Sequence, residues 1–275
     1  MTRPYAEVIG DPISHSKSPL IHNFWLAKLG IDADYRACHV RPEDLADYFA
    51  ARRHDPDWRG CNVTIPHKEQ VLAYLDDIEP RARKIGAVNT IWKDHDSLLG
   101  CNTDVEGVAE AVQDLDLAES AVVVVGAGGA ARSAFAYLEG RGCKSVRVVA
   151  RSPSKAKHVV DAFELPSSIH PFDDPAVTTG AVLLVNATQL GMQGQAEMPD
   201  TILQSLAGMA DNGVVFDMVY VPQETGLIKA AALGGKMTVG GLTMLVGQAR
   251  TAFARFFGTV PPREHDAELR KLLTS

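Results

Sequence analysis

Apolar positions along the chain fall into two patterns. Short apolar or alternating runs read as strands, and stretches with apolar residues three and four apart read as helices. The segment 6–9 reads as a strand, followed by a polar loop, Asp11-Pro12-Ile13-Ser14-His15-Ser16-Lys17-Ser18, ahead of Pro19. Ile21, Phe24, Trp25 and Leu29 have helical spacing over 19–29, with Pro in the first turn and Gly30 at the stop, the usual asymmetry of helix ends. Strands over 35–40 and 61–65, a helix over about 42–52 and a helix beginning near His67 follow. This alternation predicts a largely parallel α/β sheet.

From Asp104 the pattern changes. The stretch 105–115 reads as a connecting helix with Val108, Ala109 and Val112 on one face. Ala121-Val122-Val123-Val124-Val125 is a continuous apolar run, the signature of a central strand buried on both faces. Further strands are expected over 145–149, 181–185, 214–216 and 237–239, and the unit ends near Gly240-Gly241. The last part reads as helical, over 244–257 and 266–273. We therefore expect a two-domain α/β protein. Its N-terminal, mainly parallel domain, 1–104, is completed by C-terminal helices over 242–275 and interrupted by a second α/β domain over 105–241, with a cleft between the two.

Composition narrows the class. Hydrophobic residues make up 46% and charged residues 22% of 275, an ordinary globular profile. The formal charge is −7 with no long basic run, so nucleic acid is not expected as a partner. No signal-peptide core and no apolar stretch of about 20 residues occurs, which predicts a cytoplasmic protein without membrane contact. Cys38, Cys61, Cys101 and Cys143 are scattered, as expected of single thiols in a reducing compartment. The nine histidines show no ligand spacing, so no metal is expected. The sequence leaves the oligomeric state open between monomer and homodimer.

Gly126-Ala127-Gly128-Gly129-Ala130-Ala131 follows the apolar strand and opens a helix at Arg132. It fits G-x-G-x-x-G/A, the Rossmann fingerprint: a tight turn at Gly126, close backbone approach to a pyrophosphate at Gly128, and close helix packing at Ala131. The pyrophosphate would sit on the free N–H groups of the helix start. An NAD site usually offers an acid at the end of the next strand for the ribose 2′-hydroxyl. This chain instead reads Ala150-Arg151-Ser152-Pro153-Ser154-Lys155. Arg151 can clamp a 2′-phosphate, with Ser152 and Lys155 assisting, so NADP is favoured over NAD. Read without a ligand, Arg151 and Lys155 are solvated loop charges.

Reduction of a ketone by a nicotinamide also needs a proton donor for the developing alkoxide. Asn62-Val63-Thr64-Ile65-Pro66-His67-Lys68 and Gly100-Cys101-Asn102-Thr103-Asp104 both run off strand ends. A Lys68–Asp104 pair could share that proton, the lysine transferring it and the aspartate tuning it. Alone, each residue reads as a solvated helix-terminal charge, and His67 is an alternative base.

At this point the chain resembles the shikimate dehydrogenase family, through seven motifs in order. Ser14-His15-Ser16-Lys17-Ser18-Pro19 is similar to its S-x-S loop, and Asn62 to Lys68 to its N-V-T-x-P-x-K segment. Gly86-Ala87-Val88-Asn89-Thr90 and Asn102-Thr103-Asp104 match G-A-V-N-T and N-T-D. Asn186-Ala187-Thr188 with Gly191-Met192, Asp217-Met218-Val219-Tyr220, and Met244-Leu245 with Gln248 resemble N-A-T-x-x-G-M, D-x-x-Y and M-L-x-x-Q. The resemblance implies NADPH-dependent, reversible reduction of 3-dehydroshikimate to shikimate. It implies that Ser14 and Ser16 hold the substrate carboxylate with Tyr220 nearby, and that Thr64, Asn89, Asp104 and Gln248 fix its hydroxyls. It implies that Lys68 transfers the proton at C3 with Asp104 as partner. Asn186, Thr188, Met218 and Gly241 then lie beside the cofactor. Ser14 and Ser16 could otherwise cap the helix at Pro19, Asn89 could be a turn residue, and Gln248 a surface helix residue.

The chain departs from the family at Ala150-Arg151-Ser152, where N-R-T is frequent, at Gly240, where Asp often precedes Gly241, and at Thr243, where Gly is usual. Rival readings are a relative that oxidises quinate with NAD, a paralogue acting on another small polar substrate, and a non-catalytic dinucleotide sensor. The sensor would have no use for both Lys68 and Asp104.

Overall fold

The computed structural model describes residues 3–274 and divides into two compact units, Met1–Thr103 with Gln248–Ser275, and Asp104–Gly247. In the first, β1 (Tyr5–Gly10), α1 (Ser18–Leu29), β2 (Asp34–His39), α2 (Leu45–Arg53) and β3 (Trp58–Val63) alternate as expected. β4 (Asp77–Ile78), α3 (Pro80–Ile85), β5 (Thr90–Asp94) and β6 (Ser97–Cys101) complete a six-stranded sheet of order β2-β1-β3-β5-β6-β4. β1 runs parallel to β2 and β3, but β5 is antiparallel to both β3 and β6. This hairpin departs from the parallel expectation. Asp94 faces Ser97 across His95-Asp96, and that pair is not the Asn-Gly or Asp-Gly that marks a two-residue turn.

The helix expected from His67 is instead a run of turns and a short 3₁₀ helix, Gln70–Tyr74. A helix would engage the Lys68 carbonyl with an N–H four residues on. Here that carbonyl accepts from the Val88 N–H at 2.8 Å, and the Leu72 N–H goes to Glu69.

The second unit contains α4 (Asp104–Val112), β7 (Ala121–Val125), α5 (Gly129–Leu138), β8 (Ser145–Val149), α6 (Pro153–Val160) and β9 (Ser167–His170). Then come β10 (Ala181–Asn186), α7 (Asp200–Ser205), β11 (Val214–Asp217), α8 (Gly226–Leu233) and β12 (Met237–Gly240). Its sheet is parallel throughout, in the order β12-β11-β10-β7-β8-β9. That is the doubly wound dinucleotide-binding order, with the first strand, β7, in the middle. Val122 to Val125 are buried on both faces, which explains the unbroken apolar run. α5 opens at Gly129, ahead of Arg132, because the glycine loop itself forms the first turn: the Arg132 N–H donates to the Gly128 carbonyl at 3.1 Å.

α9 (Gly241–Phe257) leaves the second unit after Gly247 and returns the chain to the first, followed by α10 (Asp266–Thr274). Phe253 and Phe256 pack around His22 and close the first unit's core with residues from both chain ends. Lys28–Glu268 at 2.7 Å, Arg250–Asp266 at 2.6 Å and a Lys17 Nζ bond to the Leu273 carbonyl at 2.8 Å hold α10 in place.

Candidate active site

In the order β2-β1-β3, the chain leaves β1 toward one side and β3 toward the other. Ligands of open α/β sheets bind outside the carboxyl ends of strands at such a switch point. The loops that follow β1 and β3 lie side by side there, tied by Asp11 N–H to the Ile65 carbonyl at 3.2 Å and Thr64 N–H to the Ile9 carbonyl at 3.0 Å. Ser14 is exposed, while Ser16 and Thr64 are half-buried. Ser16 Oγ accepts from the Ser18 N–H at 3.3 Å, a local turn bond just ahead of α1, whose N-cap is Lys17 without a side-chain cap.

Because β5 and β6 are antiparallel additions, the start of β5 and the end of β6 reach the same end of the sheet. Lys68, half-buried, is held beside Gly86–Thr90 by its backbone bond to Val88. Asn89 is 2% exposed, and its Oδ1 accepts from the Thr103 N–H at 2.7 Å and from the Thr90 hydroxyl at 3.0 Å. Gln248, from α9, accepts from the Thr103 hydroxyl at 3.4 Å. Ser14, Ser16, Thr64, Lys68, Asn89 and Gln248 thus gather at one end of the first unit. Asp104 and Tyr220 belong to the second unit, Asp104 as the buried first residue of α4, one position after Thr103. Burial pushes the Tyr220 phenol up.

His67 is not presented as a base. Its ring is fully buried and its Nε2 bonds the Val40 carbonyl at 2.7 Å, so it braces the loop. Burial pushes the Cys38, Cys61 and Cys143 thiols up, which keeps them protonated and unreactive.

In the second unit the switch point lies between β7 and β10. Gly126 has φ +107, and a Cβ there would meet Thr188 Cγ2 at 2.7 Å; both backbone and packing demand glycine. Gly128 differs. Its φ is −85, and a Cβ there would meet nothing within 4 Å. Neither the backbone nor the protein's packing requires glycine at Gly128, which leaves the loop open to close approach from outside. Gly128, Gly129 and Ala130 are exposed, Ala127 is half-buried and Ala131 is packed against the strand, with no side chain capping the start of α5. Arg151, Ser152 and Lys155 follow β8, the strand beside β7. Arg151 and Lys155 are exposed and have no partner among the described residues.

Asn186 ends β10 and is fully buried. Its Nδ2 donates to the Leu190 carbonyl at 3.1 Å and to Asp217 at 2.9 Å, and its Oδ1 accepts from the Thr188 hydroxyl at 2.7 Å. Asp217, at the end of β11, also accepts from the Thr225 hydroxyl at 2.6 Å and the Val219 N–H at 3.0 Å. Burial outweighs these bonds and raises its carboxyl above the usual range. Asn186 therefore shapes the turn that carries Thr188, while its own side chain points inward. Met218 N–H donates to the Asn186 carbonyl at 3.0 Å, and a Cβ on Gly241 would lie 2.3 Å from the Met218 carbonyl oxygen. Asp217, Thr90 and Thr103 also carry parts of these frameworks, and their signal in the sequence is membership of the D-x-x-Y, G-A-V-N-T and N-T-D motifs.

Two family models match the chain: one described as the shikimate dehydrogenase substrate binding domain over residues 8–91, and one described as shikimate / quinate 5-dehydrogenase over 108–188. A shikimate dehydrogenase (NADP(+)) of Sphingopyxis alaskensis is 48% identical over 99% of this chain and 97% of its own length. The chain belongs to the shikimate dehydrogenase family. Among solved structures, shikimate 5-dehydrogenase from Thermus thermophilus in complex with NADP(H) and shikimate is similar at a TM-score of 0.85 and 32% identity, covering 98% of this chain and 99% of that one. The ligand-free 5-ketofructose reductase of Gluconobacter sp. strain CHM43 is similar at 0.86 and 27% identity, over 99% of both chains. The fold of the shikimate dehydrogenases therefore also hosts a different polar ketone. The open cradle at Gly128 and the unpaired Arg151 suit the pyrophosphate and 2′-phosphate of NADP. Among the described residues no group of three metal-ligating side chains occurs, and no helix is long and apolar enough to cross a membrane.

Proposed function

We propose that this chain catalyses the reversible, NADPH-dependent reduction of 3-dehydroshikimate to shikimate, in the pathway to chorismate and the aromatic amino acids. The observation that carries this reading is the gathering of Ser14, Ser16, Thr64, Lys68, Asn89 and Gln248 at one end of the first unit. Those residues supply hydroxyl donors for a carboxylate, amide partners for ring hydroxyls and one ammonium for proton transfer.

In this reading the first unit binds substrate and the second, Rossmann-type unit binds cofactor. Bound NADPH supplies the hydride. Ser14 and Ser16 hold the carboxylate, with Tyr220 assisting. Thr64, Asn89, Asp104 and Gln248 hold the hydroxyls. As the C3 carbonyl becomes an alkoxide, its oxygen takes a proton from the Lys68 ammonium, and in the reverse direction the Lys68 amine takes it back. Asp104 stabilises the charged lysine. General acid catalysis of this kind contributes roughly 10²- to 10⁴-fold. Gly126 to Ala131 cradle the pyrophosphate on the start of α5. Arg151, Ser152 and Lys155 take the 2′-phosphate, and Asn186, Thr188, Met218 and Gly241 form the nicotinamide-side wall. We read the protein as cytoplasmic, without nucleic-acid or membrane partners, and as a monomer or homodimer, which sedimentation distinguishes.

The test is nicotinamide absorbance with purified protein, crossing shikimate, quinate and fructose against NADP and NAD, with 5-ketofructose in the reductive direction. Turnover chiefly with shikimate and NADP is expected. Preference for quinate with NAD, or for 5-ketofructose, overturns the substrate assignment.

A further inference from the structure

Asn89 sits at the end of a buried chain of hydrogen bonds that begins far from the active-site loops. The Tyr35 ring is stacked on His22 at 3.9 Å, and the Tyr35 backbone is clamped on both sides by the Asn23 amide, at 3.0 and 2.7 Å. Tyr35 donates its hydroxyl proton to Asn62 Oδ1 at 2.6 Å. Asn62 Nδ2 donates to the Asn89 carbonyl at 3.2 Å and to Thr90 Oγ1 at 3.0 Å. Thr90 in turn lies 3.0 Å from Asn89 Oδ1 and 3.1 Å from the Thr103 hydroxyl. Tyr35, Asn62, Asn89, Thr90 and Thr103 are each at most 5% exposed.

The direction of this chain follows from its two ends. The Asn89 carbonyl can only accept, so the Asn62 nitrogen must face it and the Asn62 oxygen must face Tyr35. Thr90 Oγ1 therefore receives a proton from Asn62 and gives its own to Asn89 Oδ1. The Thr103 N–H, which can only donate, meets the same oxygen at 2.7 Å. The Asn89 oxygen is held inward by the Thr90 hydroxyl and the Thr103 N–H, with the Thr103 hydroxyl also within reach at 3.2 Å, so whatever Asn89 meets outside this cluster it meets as a donor.

We propose that Tyr35, Asn62 and Thr90 are positioning residues that fix the Asn89 amide with its –NH2 toward substrate, so that the site selects an oxygen with a lone pair, and not an ammonium, at that position. The proposal rests on the reading of Asn89 as a substrate ligand. A hydroxyl oxygen offers a lone pair to the Asn89 amide, whereas an ammonium has none. A site built this way rejects substrates that leave its buried groups unpaired.

The test is a double-mutant cycle on Thr90→Val and Asn89→Ala, with Thr90→Ser as the conservative control, scored by steady-state kinetics and thermal unfolding. It is run on whichever hydroxylated substrate the wild type turns over, so the identity of that substrate is decided separately by the wild type alone. Thr90→Val is expected to raise the substrate KM about tenfold, the loss typical of a broken buried network. The KM for the dinucleotide stays within about twofold, since Thr90 lies in the other unit. Thr90→Ser restores the substrate KM, and in the Asn89→Ala background Thr90→Val adds nothing. The proposal is overturned if the loss persists without Asn89, if both KM values rise together, or if only the melting temperature falls. Should Thr90→Val not fold, Tyr35→Phe, which removes only the first donor, is expected to raise the same KM about threefold with the same dependence on Asn89; no change there overturns the proposal as well.

Discussion

His22 makes a specific demand on the pH dependence of stability. Its imidazole is fully buried among Trp25, Tyr35, Phe253 and Phe256, and neither ring nitrogen has a hydrogen-bond partner among the described residues. Burial lowers its pKa from 6.5 to about 3. Between those values the unfolded chain binds a proton at His22 and the folded chain does not. Stability therefore falls as pH drops below about 6.5, at up to about 1.4 kcal/mol per pH unit for one proton. From pH 7 to pH 5 the two pKa values give a loss of about 2 kcal/mol from this residue alone.

His22→Phe removes the titration and keeps a ring against Tyr35. At pH 7 the larger ring costs about 1–3 kcal/mol of overpacking, offset by roughly 1–3 kcal/mol from removing an unsatisfied buried N–H. That balance is the same at both pH values and drops out of the comparison. All three tryptophans, Trp25, Trp58 and Trp92, lie in the first unit, so urea unfolding followed by tryptophan fluorescence reports the unit that contains His22. The wild type should lose about 2 kcal/mol more than His22→Phe between pH 7 and pH 5. Parallel pH profiles would refute the reasoning and mean that the ring holds its proton in the folded protein.

Lys68→Ala should lower kcat by roughly 10²- to 10⁴-fold and move the substrate KM little; intact turnover would remove Lys68 from the mechanism. Arg151→Ala should raise the KM for NADP about 10- to 100-fold, the loss of a charge-assisted clamp, and leave NAD use nearly unchanged. Equal losses with both cofactors would contradict a 2′-phosphate contact. The two loop glycines should separate. Gly128→Ala should keep the melting temperature within the range of a neutral surface change, about 0.5 kcal/mol, while weakening dinucleotide binding measured by fluorescence titration. Gly126→Ala, with φ +107 and Thr188 at 2.7 Å from the new Cβ, should destabilise the second unit by about 1–3 kcal/mol. The reverse order would mean that Gly128 is there for the fold.

What the sequence made legible is local. The apolar run of β7, the glycine loop and the basic residue after β8 stand close together in the chain and obey short-range rules. The β5–β6 hairpin is invisible to such rules because its turn is His95-Asp96, which carries none of the usual hairpin chemistry. The turns after Pro66 read as a helix start because the bond that stops a helix there, Val88 N–H to the Lys68 carbonyl, comes from 20 residues away. Asn186 stands in a legible motif, yet what its side chain does depends on Asp217, 31 residues on. Tyr35 and Asn62 are 27 residues apart, and nothing in their spacing announces a bond. Frameworks that hold functional side chains are made of such long-range pairs, and periodicity does not encode them.

Substrate choice follows the same division. The 5-ketofructose reductase shares this fold over its whole length, so the architecture does not decide between an acid and a neutral sugar ketone. Thr64, Asn89 and Gln248 supply hydroxyl and amide groups, which suit any polyol. The distinguishing group of shikimate is its carboxylate, and this chain meets an anion against a formal charge of −7, so the carboxylate needs local donors. The loop after β1 offers two candidates, Ser14 and Ser16. Ser16 shares its oxygen with the Ser18 N–H at 3.3 Å, whereas Ser14 Oγ has no partner among the described residues. Ser16 therefore keeps a structural reason to stay even without an acid substrate, and Ser14 does not. If the enzyme acts on shikimate, Ser14 can turn its whole hydroxyl to the carboxylate, whereas Ser16 offers it an oxygen already engaged by the Ser18 N–H.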